Sequence, residues 1–324
     1  MLTELGFDRE NDLFLVTGAA GFIGSNLMEA IAEEGFRVRG LDDYSLGKKE
    51  TVSRLQKEYS IEFVSGSVAD FEVCKRACKG VSYVLHQAAW GSVPRSLAQP
   101  LDYDRMNITG TLNMMQAARE QGVRRFVYAS SSAVYGDIEA STMVEGLEGN
   151  APSPYALTKQ VDELYARLYS TVYGLECVGL RYFNVYGKNQ DPHGAYAAVI
   201  PIFIKALLEN REPTIFGDGS ATRDYIHVSD VVRANLLAAK APAAAVGEAF
   251  NIGSGRETSL NRLFSIIRDT LCIEIEPIYE PERPGDVPHS VASVSKARDV
   301  LGFESEVELR EGIKKTIEWY RNNL

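Results

Sequence analysis

Short runs rich in β-branched and aromatic residues recur along the chain: "LFLVT" from Leu13, "FRVRGL" from Phe36, "IEFV" from Ile61, "SYVLH" from Ser82, "RRFVYAS" from Arg124 and "LECVGLRYF" from Leu175. Longer segments with apolar residues at helical spacing separate them. Apolar strands joined by such crossovers predict an α/β fold with a doubly wound parallel sheet of the Rossmann type. After Asn184 the pattern loosens into pieces punctuated by Pro and Gly, such as "YGKNQDPHGAY" and "PERPGDVPHS", with short helices among them. These predict a smaller substrate-binding lobe. The segments "DYIHVSDVVRANLLAAK" and "EAFNIG" are expected to return to the sheet. Residues 1–184 with 224–255 therefore form the expected dinucleotide-binding domain, and residues 185–223 with 256–324 the smaller lobe.

Composition narrows the class of partner. The chain has 324 residues, 45% of them hydrophobic and 24% charged, which suits a soluble globular enzyme with one large unit or two lobes. Its 34 basic and 44 acidic residues give a net charge of −10, which repels nucleic acid and anionic lipid. A small-molecule ligand is expected, with no nucleic-acid or membrane partner. The amino terminus "MLTELGFDRENDLF" lacks the basic start and apolar core of a secretory signal, and no run approaches a membrane span. Of four cysteines, only Cys74 and Cys78 are close in sequence, without the further partners of a zinc site. We expect reduced thiols, a cytoplasmic location and no metal; the sequon-like "NIT" at Asn107 then carries no meaning.

The first strand runs into "TGAAGFIGS", which places Gly18, Gly21 and Gly24 at a strand-to-helix turn in the spacing G-x-x-G-x-x-G. Such glycines permit a tight turn, bring backbone N–H groups near a pyrophosphate and let helix and strand pack closely. A purely structural Gly-rich turn has the same spacing, so context matters. The second strand ends in "RGLDD", where Asp42 can accept hydrogen bonds from the hydroxyls of an adenosine ribose; a simple loop or capping charge is the alternative. A carboxylate there repels a 2′-phosphate and favours NAD over NADP.

Further along, "YASSSAVYG" ends the fifth strand, and "SPYALTKQ" opens a helix with Tyr155 and Lys159 on one face. The same Tyr–Lys spacing recurs at Tyr44 and Lys48 in a loop, so the pair acquires meaning only with the glycines and serines before it. In that order, the chain resembles the extended short-chain dehydrogenase/reductase family, specifically its NAD-dependent nucleotide-sugar epimerases. The resemblance extends through "HQAAWGSVPRS", "RYFNVYG", "GDGSATRDYIHVSD" and "ERPGDVPHS", and is nearest to the UDP-N-acetylglucosamine 4-epimerase branch.

The resemblance implies site residues and roles. Gly18, Gly21, Phe22, Ile23, Gly24, Asp42, Ser67, Val68, Ala88, Ala89 and Tyr182 would contact the cofactor, with Tyr182 near the carboxamide. Ser131, four residues before Tyr135, would be the catalytic hydroxyl, with Tyr155 as the base and Lys159 holding the nicotinamide ribose. A free tyrosine is a poor base at neutral pH, and a nearby ammonium favours its phenolate by Coulomb attraction. Tyr155 would take the proton of the sugar 4-hydroxyl as hydride leaves C4, giving a 4-keto sugar that turns over and is reduced on its other face. NAD would stay tightly bound and be recycled. Gly91, Ser92, Ser131, Ser132, Tyr155, Asn184, Arg223, Arg283 and Ser290 would contact a UDP-sugar, with the two arginines as forks for phosphate oxygens. His86, His227 and Asp230 read as structural.

Two departures from the family pattern stand out. Ser67 occupies a place where many relatives carry an Asp for the adenine amino group, and Gly91 one where some carry a lysine. Ser132 and Ala133 stand where a 4,6-dehydratase needs an acid and a base, which disfavours that reaction. A net dehydrogenase or reductase, and a silent dinucleotide-sensing protein, remain as alternatives. The expected substrates are UDP-GlcNAc and UDP-GalNAc, because Ser290 leaves room where relatives restricted to UDP-glucose and UDP-galactose often have Tyr. UDP-glucose/UDP-galactose epimerisation is the alternative. A homodimer formed through the helices near 102–121 and 154–173 is also implied.

Overall fold

The computed structural model describes residues 1–138, 140–192, 198–282 and 289–323. Seven parallel strands form the central sheet: β1 Leu13–Thr17, β2 Arg37–Asp42, β3 Glu62–Ser65, β4 Tyr83–His86, β5 Arg125–Ser131, β6 Cys177–Tyr182 and β7 Ala249–Ile252. Their spatial order is β7-β6-β5-β4-β1-β2-β3. The order reverses between β1 and β4, and in an open α/β sheet a ligand crevice forms beyond the strand ends at that switch point. Strand β1 is buried at all five positions, as expected for a central strand covered on both faces.

One apolar layer joins Phe14, Leu27, Ile31, Val178 and Phe250 to the Phe22–Glu33 and Val228–Ala239 helices. The opposite layer joins Leu15, Cys74, Met114, Phe126 and Tyr169. Each buried side chain of this size contributes about 1.5–3 kcal/mol relative to exposure, so the sheet is a stiff platform for loops at its carboxyl edge. A third core, including Ile200, Phe203, Leu263, Ile267, Ile313 and Tyr320, builds the smaller lobe from the Val199–Leu208, Leu260–Leu271 and Leu309–Asn323 helices.

The segment "EAFNIG" joins the main sheet as expected, with Ala249–Ile252 paired to Gly179–Tyr182. The "DYIHV" segment does not: Tyr225–His227 pairs with Asn184–Tyr186 in a separate two-stranded sheet. Its following helix still packs on β5 and β6. This small sheet ties the two halves together at the point where Asn184 leaves β6.

Candidate active site

Thr17 ends β1, and its hydroxyl organises the loop opposite. It accepts hydrogen bonds from the Gln87 and Ala88 N–H groups, each at 3.1 Å, and lies 2.7 Å from His86 Nδ1. The hydroxyl proton therefore goes to Nδ1, leaving Nε2 protonated to donate to Thr111 Oγ1 at 3.1 Å. Burial lowers His86 to about 3, so it stays neutral and structural, as its sequence context indicates.

The glycine turn fits tightly against this loop. Gly18 has φ +64°, and a Cβ there would lie 2.9 Å from the Ala88 nitrogen; one on Gly24 would lie 2.0 Å from the Gly18 carbonyl oxygen. Asp42 closes the same wall: its Oδ2 accepts from Ala20 N at 3.0 Å and its Oδ1 from Tyr44 N at 2.7 Å. Burial raises this carboxyl above its ordinary value, against the pull of those two donors. Asp42 is thus both a loop brace and a wall of a cavity of about 410 Å³. Gly18, Gly21, Phe22, Ile23, Gly24, Val68, Ala88, Ala89 and Gly91 line that cavity with it. The glycine backbone, the acceptor at the end of β2 and the enclosing apolar side chains fit a dinucleotide.

Ser67 is not part of that lining; its hydroxyl accepts from Ala69 N at 3.3 Å and contacts Met106 Sδ at 3.9 Å. Tyr182 sits behind Gln87, which does line the cavity. Its hydroxyl donates to Gln87 Oε1 at 3.0 Å and accepts from Asn235 Nδ2 at 2.9 Å, while Gln87 Nε2 donates to Asn235 Oδ1, closing a triangle.

The catalytic candidates are carried by β5 and by one helix hydrogen-bonded to it, and none of Ser131, Tyr155 and Lys159 is among the residues lining the cavity. Ser153 caps the Pro154–Val172 helix by accepting from Ala156 N at 3.2 Å, with Pro154 in the first turn. Tyr155 follows, and Lys159 one turn later is 2% exposed, donating to Ala129 O of β5 at 3.0 Å and to Asp162 Oδ2 at 3.1 Å. Ser131 ends the same strand, its Oγ accepting from Ala133 N at 3.1 Å, and Ser132 begins the Ser132–Tyr135 turn. Behind them Ser130 donates to Glu163 at 2.6 Å, and Glu163 is clamped by two donors of Arg181. Strand end and helix are therefore fixed relative to each other before any ligand arrives.

Asn107 extends this frame. It lies in a π-helical turn, Asp104–Thr109, a local irregularity often found at functional sites. Its side chain accepts from Trp90 N at 2.8 Å and donates to Trp90 O and to Thr158 Oγ1, while Thr158 donates to Tyr155 O at 2.8 Å. The cavity wall at Trp90 is thus tied to the turn that carries Tyr155. Ser92 is braced by Tyr103, whose hydroxyl donates to Ser92 O at 2.7 Å and accepts from Ser92 N at 3.0 Å. The Ser92 hydroxyl itself caps the next helix through Arg95 N.

A second cavity of about 270 Å³ lies in the smaller lobe and brings Asn184 together with Arg223, Phe216 and Tyr225. Asn184 donates to Asp224 O at 2.9 Å, and Arg223 pairs in register with Ser290 across two short parallel strands. Tyr225 was missed in the sequence: its buried hydroxyl has no hydrogen-bond partner among the described residues and belongs to this lining. Arg283 lies outside the described residues. A larger space of about 620 Å³ behind Glu163 contains none of the glycine turn or Tyr155, and its Arg181 and Lys296 are already paired to Glu148, Glu163 and Glu248. No cluster of His, Cys, Asp and Glu among the described residues could hold a metal ion.

A glycine-walled dinucleotide cavity beside a Ser–Tyr–Lys frame defines an oxidoreductase-type site in the extended short-chain dehydrogenase/reductase class. The chain belongs to the NAD dependent epimerase/dehydratase family, whose profile matches residues 14–253, and NAD is its cofactor. It is similar to UDP-glucose 4-epimerase of Mycolicibacterium smegmatis, 42% identical over 310 residues that span 95% of this chain and 98% of the relative. It is also similar to the structure of UDP-N-acetylglucosamine 4-epimerase from Methanobrevibacter ruminantium in complex with UDP-N-acetylmuramic acid, with TM-score 0.91, 36% identity, and coverage of 97% and 99% of the two chains. A third similarity is to Thermus thermophilus UDP-glucose 4-epimerase in complex with NAD, with TM-score 0.85, 34% identity, and coverage of 96% and 100%.

Proposed function

We propose that this NAD-dependent UDP-sugar 4-epimerase prefers the pair UDP-GlcNAc and UDP-GalNAc and works through a transient 4-keto sugar. Bound NAD supplies the acceptor and donor of the C4 hydride. The protein residues do the rest. Tyr155 removes the proton of the 4-hydroxyl and later returns one, Ser131 hydrogen-bonds the same oxygen, and the Lys159 ammonium favours the phenolate. Arg223 and Asn184 hold the diphosphate in the smaller-lobe cavity, and the orphan Tyr225 hydroxyl offers that ligand one more polar contact. Gly18, Gly24 and Asp42 retain the dinucleotide between turnovers.

The preference rests on space beside the sugar. A Cβ built on Gly91, in the wall of the larger ligand cavity, meets nothing within 4 Å. Ser290, in register with Arg223, is small enough to leave room for an acetamido group at C2. The structural similarity to a UDP-N-acetylglucosamine 4-epimerase supports this reading. The 42% identity to a UDP-glucose 4-epimerase favours UDP-glucose/UDP-galactose as the second reading. Competition among the four UDP-sugars decides between them: the acetylated pair should show the higher kcat/KM, and a higher value for the other pair contradicts the preference.

The functional unit in this proposal is a cytoplasmic homodimer. Leu157, Leu164, Leu168 and Val172 are exposed apolar residues on one of the helices implied as the interface, and Leu101, at 84% exposure, adjoins the other. A patch of this kind is unusual on a monomer surface. No helix among the described residues is long and apolar enough to cross a membrane. Sedimentation at micromolar concentration should give twice the chain mass, and Leu164→Glu with Leu168→Glu should shift the species toward monomer.

A further inference from the structure

The Lys159 ammonium is almost completely buried, and so is the carboxylate that faces it. Asp162 is 1% exposed and its Oδ2 lies 3.1 Å from Nζ, one helical turn along the same face. The Thr111 hydroxyl of the Gly110–Glu120 helix also faces this carboxylate, but Oδ1 has no partner within ordinary hydrogen-bond distance among the described residues. A buried ion pair recovers its desolvation cost only when its remaining polar atoms are satisfied, so Asp162 is a poor choice for packing alone. The same position could hold an apolar residue near Tyr128 in the second core layer without this cost.

The surrounding charges leave Asp162 a distinct role. On its own helix, Glu163 is committed to Arg181 of β6 and to Ser130 of β5. Tyr128 of β5 is held neutral by burial well above its ordinary range, and the Cys177 thiol of β6 is pushed up to about 12. His86 of β4 reaches this layer through Thr111 of the Gly110–Glu120 helix and is neutral. Asp162 is thus the carboxylate paired with Lys159 among the described residues.

We propose that Asp162 is a positioning residue that keeps the Lys159 ammonium charged and aimed. Together with Ala129 O it takes two of the three N–H donors, leaving the third for Tyr155 and the cofactor ribose. Without the carboxylate, the buried ammonium faces a single carbonyl and sheds its proton more readily as pH rises. The charge that favours the Tyr155 phenolate is then lost. Burial raises Asp162 to about 6 while Lys159 pulls it down, so the pair is present above that pH and weakens as pH falls through it.

The proposal rests on Tyr155 and Lys159 as the acid–base pair, and the test separates the two. Measure kcat/KM from pH 6 to pH 10 for the NAD-loaded wild type, Asp162→Asn and Lys159→Met, using whichever UDP-sugar the wild type turns over fastest. Lys159→Met should be inactive throughout; wild-type rates in that variant overturn the acid–base reading and this proposal with it. Asp162→Asn should stay within about 3-fold of wild type at pH 7 and fall at least about 10-fold below it at pH 9, its alkaline limb moved down by at least about one pH unit. An alkaline limb unmoved from the wild type, at whatever rate, assigns Asp162 a structural role only. If Asp162→Asn does not fold, thermal unfolding at pH 8 asks the same question. Lys159→Met/Asp162→Asn should melt above Lys159→Met, which leaves a bare buried carboxylate, and an equal or lower Tm contradicts the pairing.

Discussion

The two ligand cavities are walled by different material. Around the dinucleotide cavity the closest approaches are backbone: Gly18 against the Ala88 peptide, Gly24 against the Gly18 carbonyl, Asp42 bonded to the Ala20 N–H. The smaller-lobe cavity is instead lined by residues with large side chains, among them Asn184, Phe203, Phe216, Arg223 and Tyr225. At Gly18 and Gly24 the backbone wall accepts no Cβ without moving the main chain, whereas a side-chain wall can be altered one residue at a time. Shared cofactor and divergent sugar among relatives follow from that contrast.

The largest effect is expected at the acid–base candidate, which lines neither cavity. Tyr155→Phe should reduce turnover by at least about 100-fold while NAD and UDP-sugar binding persist, the lower end for losing an acid–base group. A near wild-type rate would remove Tyr155 from the mechanism. On the backbone wall, Gly18→Ala must hold a Cβ at φ +64° and against Ala88 N, so it should cost about 1–3 kcal/mol of stability and strip NAD from the purified protein. Retained NAD, read by absorbance of the denatured supernatant, would show that this wall is softer than its contacts imply.

The side-chain wall should respond more gently. Arg223→Ala should raise KM for UDP-sugars about 10- to 100-fold, the range for losing a charged hydrogen bond of about 1.5–3 kcal/mol, with NAD content unchanged. Loss of NAD in this variant would mean that the two cavities are not independent. The smallest and most selective effect is expected from Ser290→Tyr: kcat/KM for the acetylated pair alone should fall by about 1–3 kcal/mol equivalents. Equal losses for both pairs would show that Ser290 does not read the C2 group.

The same contrast explains what could be read from the sequence. Gly18, Asp42 and Ser131 stand at or next to strand ends, Gly21 and Gly24 at the start of the helix that follows, and Tyr155 and Lys159 one turn apart on a helix, all in short spacings; the alternating pattern carries six of the seven sheet strands as strands in sequence, with Ala249–Ile252 recognised as a return. Asn107 was invisible because its importance comes from a π-helical turn that aims it at Trp90 and Thr158; its "NIT" context suggests only a sequon. Asp162 and Tyr225 were missed for a related reason. Each is defined by what burial leaves unpaired, which no spacing in the chain announces. The Tyr225–His227 strand reads as part of the main sheet because its apolar alternation is the same in a two-stranded pair.

The central claim is that hydride leaves and returns to the same sugar within one closed cycle. Purified protein, given UDP-GlcNAc and no added NAD, should convert it toward the UDP-GalNAc equilibrium over many turnovers, with no accumulation of NADH at 340 nm. A requirement for continuous NAD, or NADH formed in proportion to product, would contradict the account and make the protein a net dehydrogenase.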